Sequence, residues 1–354
     1  MADTWCSPTI RTLLQGQFIS ICIAGTGIFA TLLSEMKPTA NFPLLMSFLN
    51  YFLLSFFLIR IYWRKTQTPH SSQLLRLSDD QLDTPTERKH IYTEISDTQV
   101  HIHTPQPTQT KWYWYFLAAL LDVEANFLVI LAYNYTSVTS IMLLDCFTIP
   151  SSMVLSYVIL KYIYTYKHIL GTCVCISGLV CIVINDVLYN HGDGNKDSVY
   201  GDVLCICGAV LYAFSNVLQE TLVKNHDRDV FMGYLGVFGM SISFIQCMAL
   251  DIHQLTHTPI NLYVIMYVLG FVTCIYTMYI HTSAFLQTSD ATLFNLSLLT
   301  SDVYAVLFVY AYQHTIVSPL YIVAFLLVCI GVYVYHTETP PYKNLQGGEE
   351  GEGE

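Results

Sequence analysis

Four acids stand part-way along stretches of chain that are otherwise dominated by apolar residues. Asp122 and Glu124 lie within 112–134, Asp145 within 138–160 and Asp302 within 290–312. A carboxylate at the centre of a bilayer costs about 2.5–3.5 kcal/mol on insertion scales, so a chain that carries several must use them. Two uses are open for any one of them: an interhelical hydrogen bond made by a protonated carboxyl, or contact with a polar solute or a coupling proton. Four together favour the second. At 100° per residue Asp122, Asn126 and Tyr133 fall within about 40° of one another, while Glu124 points about 200° away. Asp122 and Asn126 are therefore expected to face a cavity and Glu124 to bond a neighbouring helix, although the sequence alone leaves the reverse assignment open. Asn295 and Asp302, seven apart, also share a face.

Aromatic residues supply the complementary chemistry. Tyr212 and Asn216 lie in one stretch, and Phe147 and Tyr304 in two others, deep enough to stack on a planar solute. Stacking of this kind is worth about 1–3 kcal/mol per base on aromatic side chains. Equally telling is the missing partner, since no Lys or Arg occurs midway along any of these stretches. Carboxylates without a cation suit a neutral or cationic solute, or proton coupling, better than a diphosphate. No His-Glu-x-x-His motif occurs and no nucleophile stands beside a base, so the chain is not expected to be an enzyme. The Cys173/Cys175 and Cys205/Cys207 pairs have the wrong spacing for a zinc knuckle, so no metal and no cofactor is expected.

The elements that must position these residues follow from composition. Of 354 residues 53% are hydrophobic and only 12% charged, with a mean hydropathy of +0.46 and a net charge of -11. That excludes a cytosolic enzyme and a nucleic-acid binder, because no soluble surface and no basic patch can be built from it. A hydrocarbon core of about 30 Å needs about 20 apolar residues per helix. Ten windows meet this: 12–34, 42–63, 112–134, 138–160, 166–187, 201–223, 231–252, 260–282, 290–312 and 318–336. The expected fold is an all-α polytopic membrane protein. Thirteen of the fifteen Lys and Arg fall on one side of such a chain, with only Lys37 and Lys196 on the other, so both termini are expected in the cytosol.

Residues 1–11 then form a cytosolic N-terminus, and the first window is read as a retained signal anchor, since no Ala-x-Ala signature ends it. Residues 64–111, rich in Ser, Thr, Gln, Asp and Pro, are expected to be a disordered cytosolic loop, and 337–354 an acidic cytosolic tail. Tyr92-Thr-Glu-Ile95 and Tyr342-Lys-Asn-Leu345 match the tyrosine-x-x-bulky pattern read by trafficking adaptors, set against plain solvated chain. Gly233, Gly236 and Gly239 are read as helix packing, while Pro150, Gly25 and Gly27 are candidates for gating bends.

Weak internal symmetry divides the chain. A shift of 152 lays Ala132–Ser137 on Ala284–Ser289 and Thr148 on Thr300; a shift of 185 lays Gly16, Cys22 and Glu35 on Gly201, Cys207 and Glu220. The fourth window thus resembles the ninth and the first the sixth. Five helices per repeat is an odd number, so the second repeat, 201–336, must enter the membrane inverted relative to the first, 12–187.

Several of these residues carry a resemblance. Gly16-Gln17, Gly25-Thr26, Ser47-Phe-Leu-Asn-Tyr51, Asp122-Val-Glu-Ala-Asn126, Leu144-Asp-Cys-Phe147, Tyr212 to Asn216 and Asn295 to Asp302 resemble solute carrier family 35, subfamily F, in the drug/metabolite transporter superfamily. The resemblance covers residues 12–336. It implies ten helices in two inverted five-helix repeats, a central cavity, and secondary transport of a small polar metabolite by alternating access. Some relatives look like carriers of nucleobase or nucleoside-type micronutrients such as queuine and queuosine, whereas the wider family is similar to Golgi nucleotide-sugar exchangers; a non-transporting membrane sensor or scaffold is the remaining alternative. Leu131 stands where close relatives usually carry a basic residue, which separates this chain from any acid–base pair of the family. The plasma membrane is the expected location, with endosomal or Golgi membranes as the alternatives.

Overall fold

The computed structural model describes residues 8–34, 36, 42–79, 111–133, 135–136, 141, 144–189, 199–252, 256, 261–301, 303–304, 319–338 and 342–343. Each hydropathy window contains a helix. In chain order these are α1 (Pro8–Ser34), α2 (Pro43–Asp79), α3 (Trp112–Ala132), α4 (Thr148–Leu155), α5 (Tyr166–Tyr189), α6 (Val199–Asn225), α7 (Arg228–Leu250), α8 (Leu262–Thr288), α9 (Ala291–Leu298) and α10 (Pro319–His336). Among the described residues six of them, α1, α2 over Pro43–Trp63, α3, α6, α7 and α8, are long and apolar enough to cross a bilayer. The protein is an all-α polytopic membrane protein. Helices suit this solvent because they satisfy every backbone donor internally, which lipid cannot do.

The helix ends show how the sequence stops and restarts each one. α4 runs into a π turn, Ser156–Leu160, and ends at Lys161, whose left-handed φ of 59° reverses the chain. Asn261 and Asp290 cap α8 and α9 by accepting from Val264 N and Leu293 N at 2.9 Å each. Asp251, just past the end of α7, instead caps a different helix, accepting from Leu44 N at 2.9 Å and Leu45 N at 3.1 Å at the start of α2.

Two expectations for the connections differ from what is observed. α2 does not stop at the end of its apolar window but continues to Asp79, so the first part of the 64–111 connection is helical; extending a formed helix costs far less than starting one. Residues 80–110, with Tyr92, lie outside the described residues. In the acidic tail Tyr342–Lys343 forms β2, which pairs antiparallel with β1 (Tyr162–Ile163) between α4 and α5. An otherwise unpaired strand edge recruits extended chain in this way.

Each helix of α1–α5 packs on a helix of α6–α10: α1 on α8, α2 on α7, α3 on α6, α4 on α6 and α9, and α5 on α10. Small residues permit the closest approaches, as read from the sequence for α7. A methyl at Gly233 would meet Leu58, one at Gly236 the backbone of Leu54 and Ser55, and one at Gly239 the ring of Tyr51. Gly171 and Gly331 do the same for α5 and α10. Ile19, Tyr51, Ala118, Val217, Phe231, Phe285 and Leu296 lie in the buried centre, while Leu14, Ile59, Ile245 and Leu269 are exposed on the outside, where lipid replaces water.

Candidate functional site

The buried polar groups converge where α2, α3, α6 and α8 meet. Asp122 of α3 accepts at Oδ2 from the hydroxyls of Tyr51 and Tyr279, each at 2.6 Å, and those two hydroxyls lie 3.1 Å apart. Ser215 of α6 adds a further hydrogen bond. One turn along α3, Asn126 Nδ2 donates to the Asp122 carbonyl at 2.8 Å, and Asn126 Oδ1 accepts from the Tyr212 hydroxyl at 2.7 Å. Asp122, Asn126 and Tyr212 therefore form one connected network. The i, i+4 spacing of Asp122 and Asn126 explains why α3 delivers both to the same face.

Asp145 reaches this network from the segment before α4. Its side chain keeps accessible surface yet is surrounded by protein atoms, and it acts electrostatically on Tyr212 and Cys205. Phe147, two residues on, is 49% exposed. A second polar contact lies deeper in the second half: Asn216 Nδ2 donates to Asn295 Oδ1 at 2.9 Å, joining α6 to α9. The Asn295 Nδ2 donor and both amide atoms of Asn50 are buried without a hydrogen-bond partner among the described residues. Such orphaned groups cost about 1–3 kcal/mol each unless something else bonds them.

Other expected residues are placed differently. Glu124 accepts from Gln246 Nε2 of α7 at 3.0 Å, which is the interhelical bond anticipated for it. The Tyr304 hydroxyl donates to Gln17 Oε1 of α1 at 2.7 Å and its ring meets Phe325. A tyrosine hydroxyl in an apolar setting takes the nearest acceptor, and α1 supplies one. Asp302 lies outside the described residues.

Tyr51, Tyr279 and Ser215 escape a reading by composition. Tyr51 stands in the Ser47–Tyr51 motif, but nothing local separates it or Tyr279 from the other tyrosines that anchor helix ends. A second cluster was missed for the same reason. Glu220 of α6, with no exposed surface, accepts from Tyr162 OH at 2.8 Å, Lys224 Nζ at 2.7 Å and Ala291 N at 2.8 Å. Beside it Asp290 accepts from Tyr335 OH at 3.0 Å, and Tyr164 OH lies 3.1 Å from Thr292 Oγ1. Burial first and Glu220 second raise the Tyr162 phenol above its ordinary range, which keeps it a neutral donor. Glu220 shows in the sequence only as the repeat-related counterpart of Glu35. Among the described residues no group of three or more His, Cys, Asp or Glu could hold a metal ion.

Comparison with known proteins follows the same lines. Residues 7–76 and 92–337 match the family model SLC35F, Solute carrier family 35. Solute carrier family 35 member F2 of Mus musculus is 34% identical over 351 residues, 97% of this chain and 83% of that protein. The member F2 protein of Xenopus tropicalis is 30% identical over 343 residues, 95% of this chain and 78% of that one. A protein of known crystal structure, 14% identical, superposes with a TM-score of 0.64 over 92% of this chain and 96% of the other, a likeness of fold alone. With a helical membrane fold, a polar centre free of cations and a match along nearly its whole length, the chain belongs to solute carrier family 35, subfamily F, and is a solute transporter rather than an enzyme.

Proposed function

We propose that the protein moves a small, planar, polar metabolite of nucleobase or nucleoside type, such as queuine or queuosine, by alternating access. In this reading ten spans form two inverted five-helix repeats, both termini are cytosolic, and one repeat rocks against the other. The packing supports the repeats. Exchanging each helix with the one five places along turns α1–α8 into α6–α3, α4–α6 into α9–α1, and α3–α7 into α8–α2, all of them pairings that occur, while α2–α7, α4–α9 and α5–α10 map onto themselves. A pattern of contacts between the two halves that survives this exchange is expected of two repeats related by a pseudo-two-fold axis in the membrane plane.

The observation that carries the substrate class is the chemistry around Asp122. Amides and hydroxyls (Asn126, Tyr212, Asn216, Asn295) and the exposed Phe147 ring gather near two carboxylates, Asp122 and Asp145, and no Lys or Arg is bonded among them. Amide pairs match the donor–acceptor edge of a base, and an aromatic ring matches its face. A nucleotide sugar would bring two phosphate charges with nothing to answer them.

Uptake of a labelled panel into proteoliposomes tests this: guanine, 7-deazaguanine-type bases, guanosine and a nucleotide sugar, each competed against the others. Accumulation of bases or nucleosides, with at least tenfold weaker competition by the nucleotide sugar, is the expected result. Exchange of a nucleotide sugar for its monophosphate, with bases ignored, would replace this reading by the Golgi-type exchanger.

A further inference from the structure

We propose that Asp122, Tyr51 and Tyr279 form a proton-binding site that fastens the two halves of the protein together. The proposal rests on the transport reading only for its consequence, not for the site itself.

Proton bookkeeping in the triad carries it. The three oxygens, Asp122 Oδ2, Tyr51 OH and Tyr279 OH, form a closed ring with edges of 2.6, 2.6 and 3.1 Å. With Asp122 ionised the ring holds two protons, one per phenol. Both are used on the two 2.6 Å edges, which are short as charge-assisted bonds are, and the longer phenol–phenol edge has none. A third proton on Asp122 allows every edge to carry one hydrogen, with the carboxyl donating to one phenol, that phenol to the other, and the second phenol back to the carboxylate oxygen. The ring thus accommodates both charge states, complete only in the protonated one, and stores one exchangeable proton.

Among the described residues no cation is bonded to it that could balance the charge. α2 supplies Tyr51, α8 supplies Tyr279, α6 supplies Ser215 and Tyr212, and α3 supplies Asn126, all neutral. Asp145, the other acid in range, acts on Tyr212 and adds negative charge. Arg60 and Arg228 act on Tyr276 and His281, not on Asp122. A buried carboxylate with hydrogen bonds but no counter-ion is the arrangement in which a proton can serve as the counter-ion.

Position converts this into coupling. Tyr51 and Asp122 belong to α2 and α3 of the first half, Ser215 and Tyr279 to α6 and α8 of the second. Ionised Asp122 draws donors from both halves and holds them together. Protonation exchanges the two charge-assisted bonds for three neutral ones, each about half as strong, so the hold weakens and the halves separate more readily when the proton is bound. An inward proton gradient then drives the transition that carries solute.

The site is read without any solute by infrared spectroscopy of the purified full-length protein in lipid nanodiscs titrated from pH 8 to pH 5. The expected signature is a protonated-carboxyl C=O stretch that appears on acidification and is missing from Asp122→Asn. Tyr279→Phe removes a donor to the ionised form, so its midpoint should move to higher pH by a clear shift, whereas a purely structural tyrosine would leave the midpoint in place. Persistence of the full band in Asp122→Asn would overturn the proposal, as would an unmoved midpoint in both Tyr279→Phe and Tyr51→Phe. The tyrosine variants decide the matter if Asp122→Asn does not fold. In proteoliposomes an inward proton gradient should raise guanosine uptake several-fold, and Asp122→Asn should lose that stimulation. Uptake that ignores the gradient defeats the coupling alone, while a panel with no transported member and an intact proton band defeats the substrate reading alone.

Discussion

Tyr162, in the short connection between α4 and α5, donates its hydroxyl across 2.8 Å to Glu220, a carboxylate with no exposed surface at the far end of α6. That single bond joins the first half of the protein to the second at the end of the bundle where α9 begins and α10 stops. Lys224 and Ala291 N bond the same carboxylate, Tyr335 holds the neighbouring Asp290, and the β1–β2 pairing lies directly beside it. The arrangement closes this end of the bundle with neutral donors and one cation around two acids.

Removing Glu220 should therefore destabilise the protein, not merely loosen one contact. Glu220→Ala leaves the Tyr162 hydroxyl and the buried Ala291 donor without their acceptor, a loss of about 1–3 kcal/mol, since Lys224 is exposed enough to turn to water. Tyr162→Phe removes one hydrogen bond and should cost about 1 kcal/mol. Unfolding of the detergent-solubilised variants measures both, and equal stability of Glu220→Ala and the parent would contradict the role given to this cluster.

The α2–α7 seam makes a sharper prediction. At Gly236 a side chain meets the backbone of Leu54 and Ser55, which cannot move aside as a flexible side chain can, whereas at Gly27 nothing lies within 4 Å. Gly236→Ala should lower stability by about 1–3 kcal/mol, as overpacking does. Gly27→Ala should change it by less than about 0.5 kcal/mol. The pair can be compared by yield of monodisperse protein and by thermal unfolding side by side.

The acids should separate by role. Glu124 is engaged with Gln246 on α7, so Glu124→Gln is expected to keep uptake within about twofold of the parent, under about 0.5 kcal/mol. Asp145 is exposed beside Tyr212, so Asp145→Asn should lower uptake about tenfold, about 1.4 kcal/mol, with unchanged surface expression. Undiminished uptake in Asp145→Asn would return that residue to a packing role.

Orientation is open to a direct check. An epitope inserted beside Tyr92 should be labelled in permeabilised cells and silent in intact ones, because thirteen of the fifteen Lys and Arg lie on the same side as that segment. Labelling without permeabilisation would reverse the topology.

What the sequence determined by itself is local. The length of an apolar run decides whether a helix forms in lipid, so six of the windows match helices long and apolar enough to cross a bilayer among the described residues, and α2 overran its window only because helix propagation does not need apolar side chains. The face shared by Asp122 and Asn126, and the opposite face of Glu124, follow from 100° per residue and needed no tertiary information. Partners are a different matter. Tyr51 and Tyr279 are 228 residues apart, and Tyr162 and Glu220 are 58 apart; no periodicity links them, and each looks like any other tyrosine or helix-end acid until packing brings it to its acceptor. Tyr304 is a further case, since no spacing foretold that its hydroxyl would bond a glutamine on α1. In a low-dielectric interior every polar group must find a bond, and which one it finds is settled by the helices that happen to face it, a property of the assembled bundle and not of any one segment.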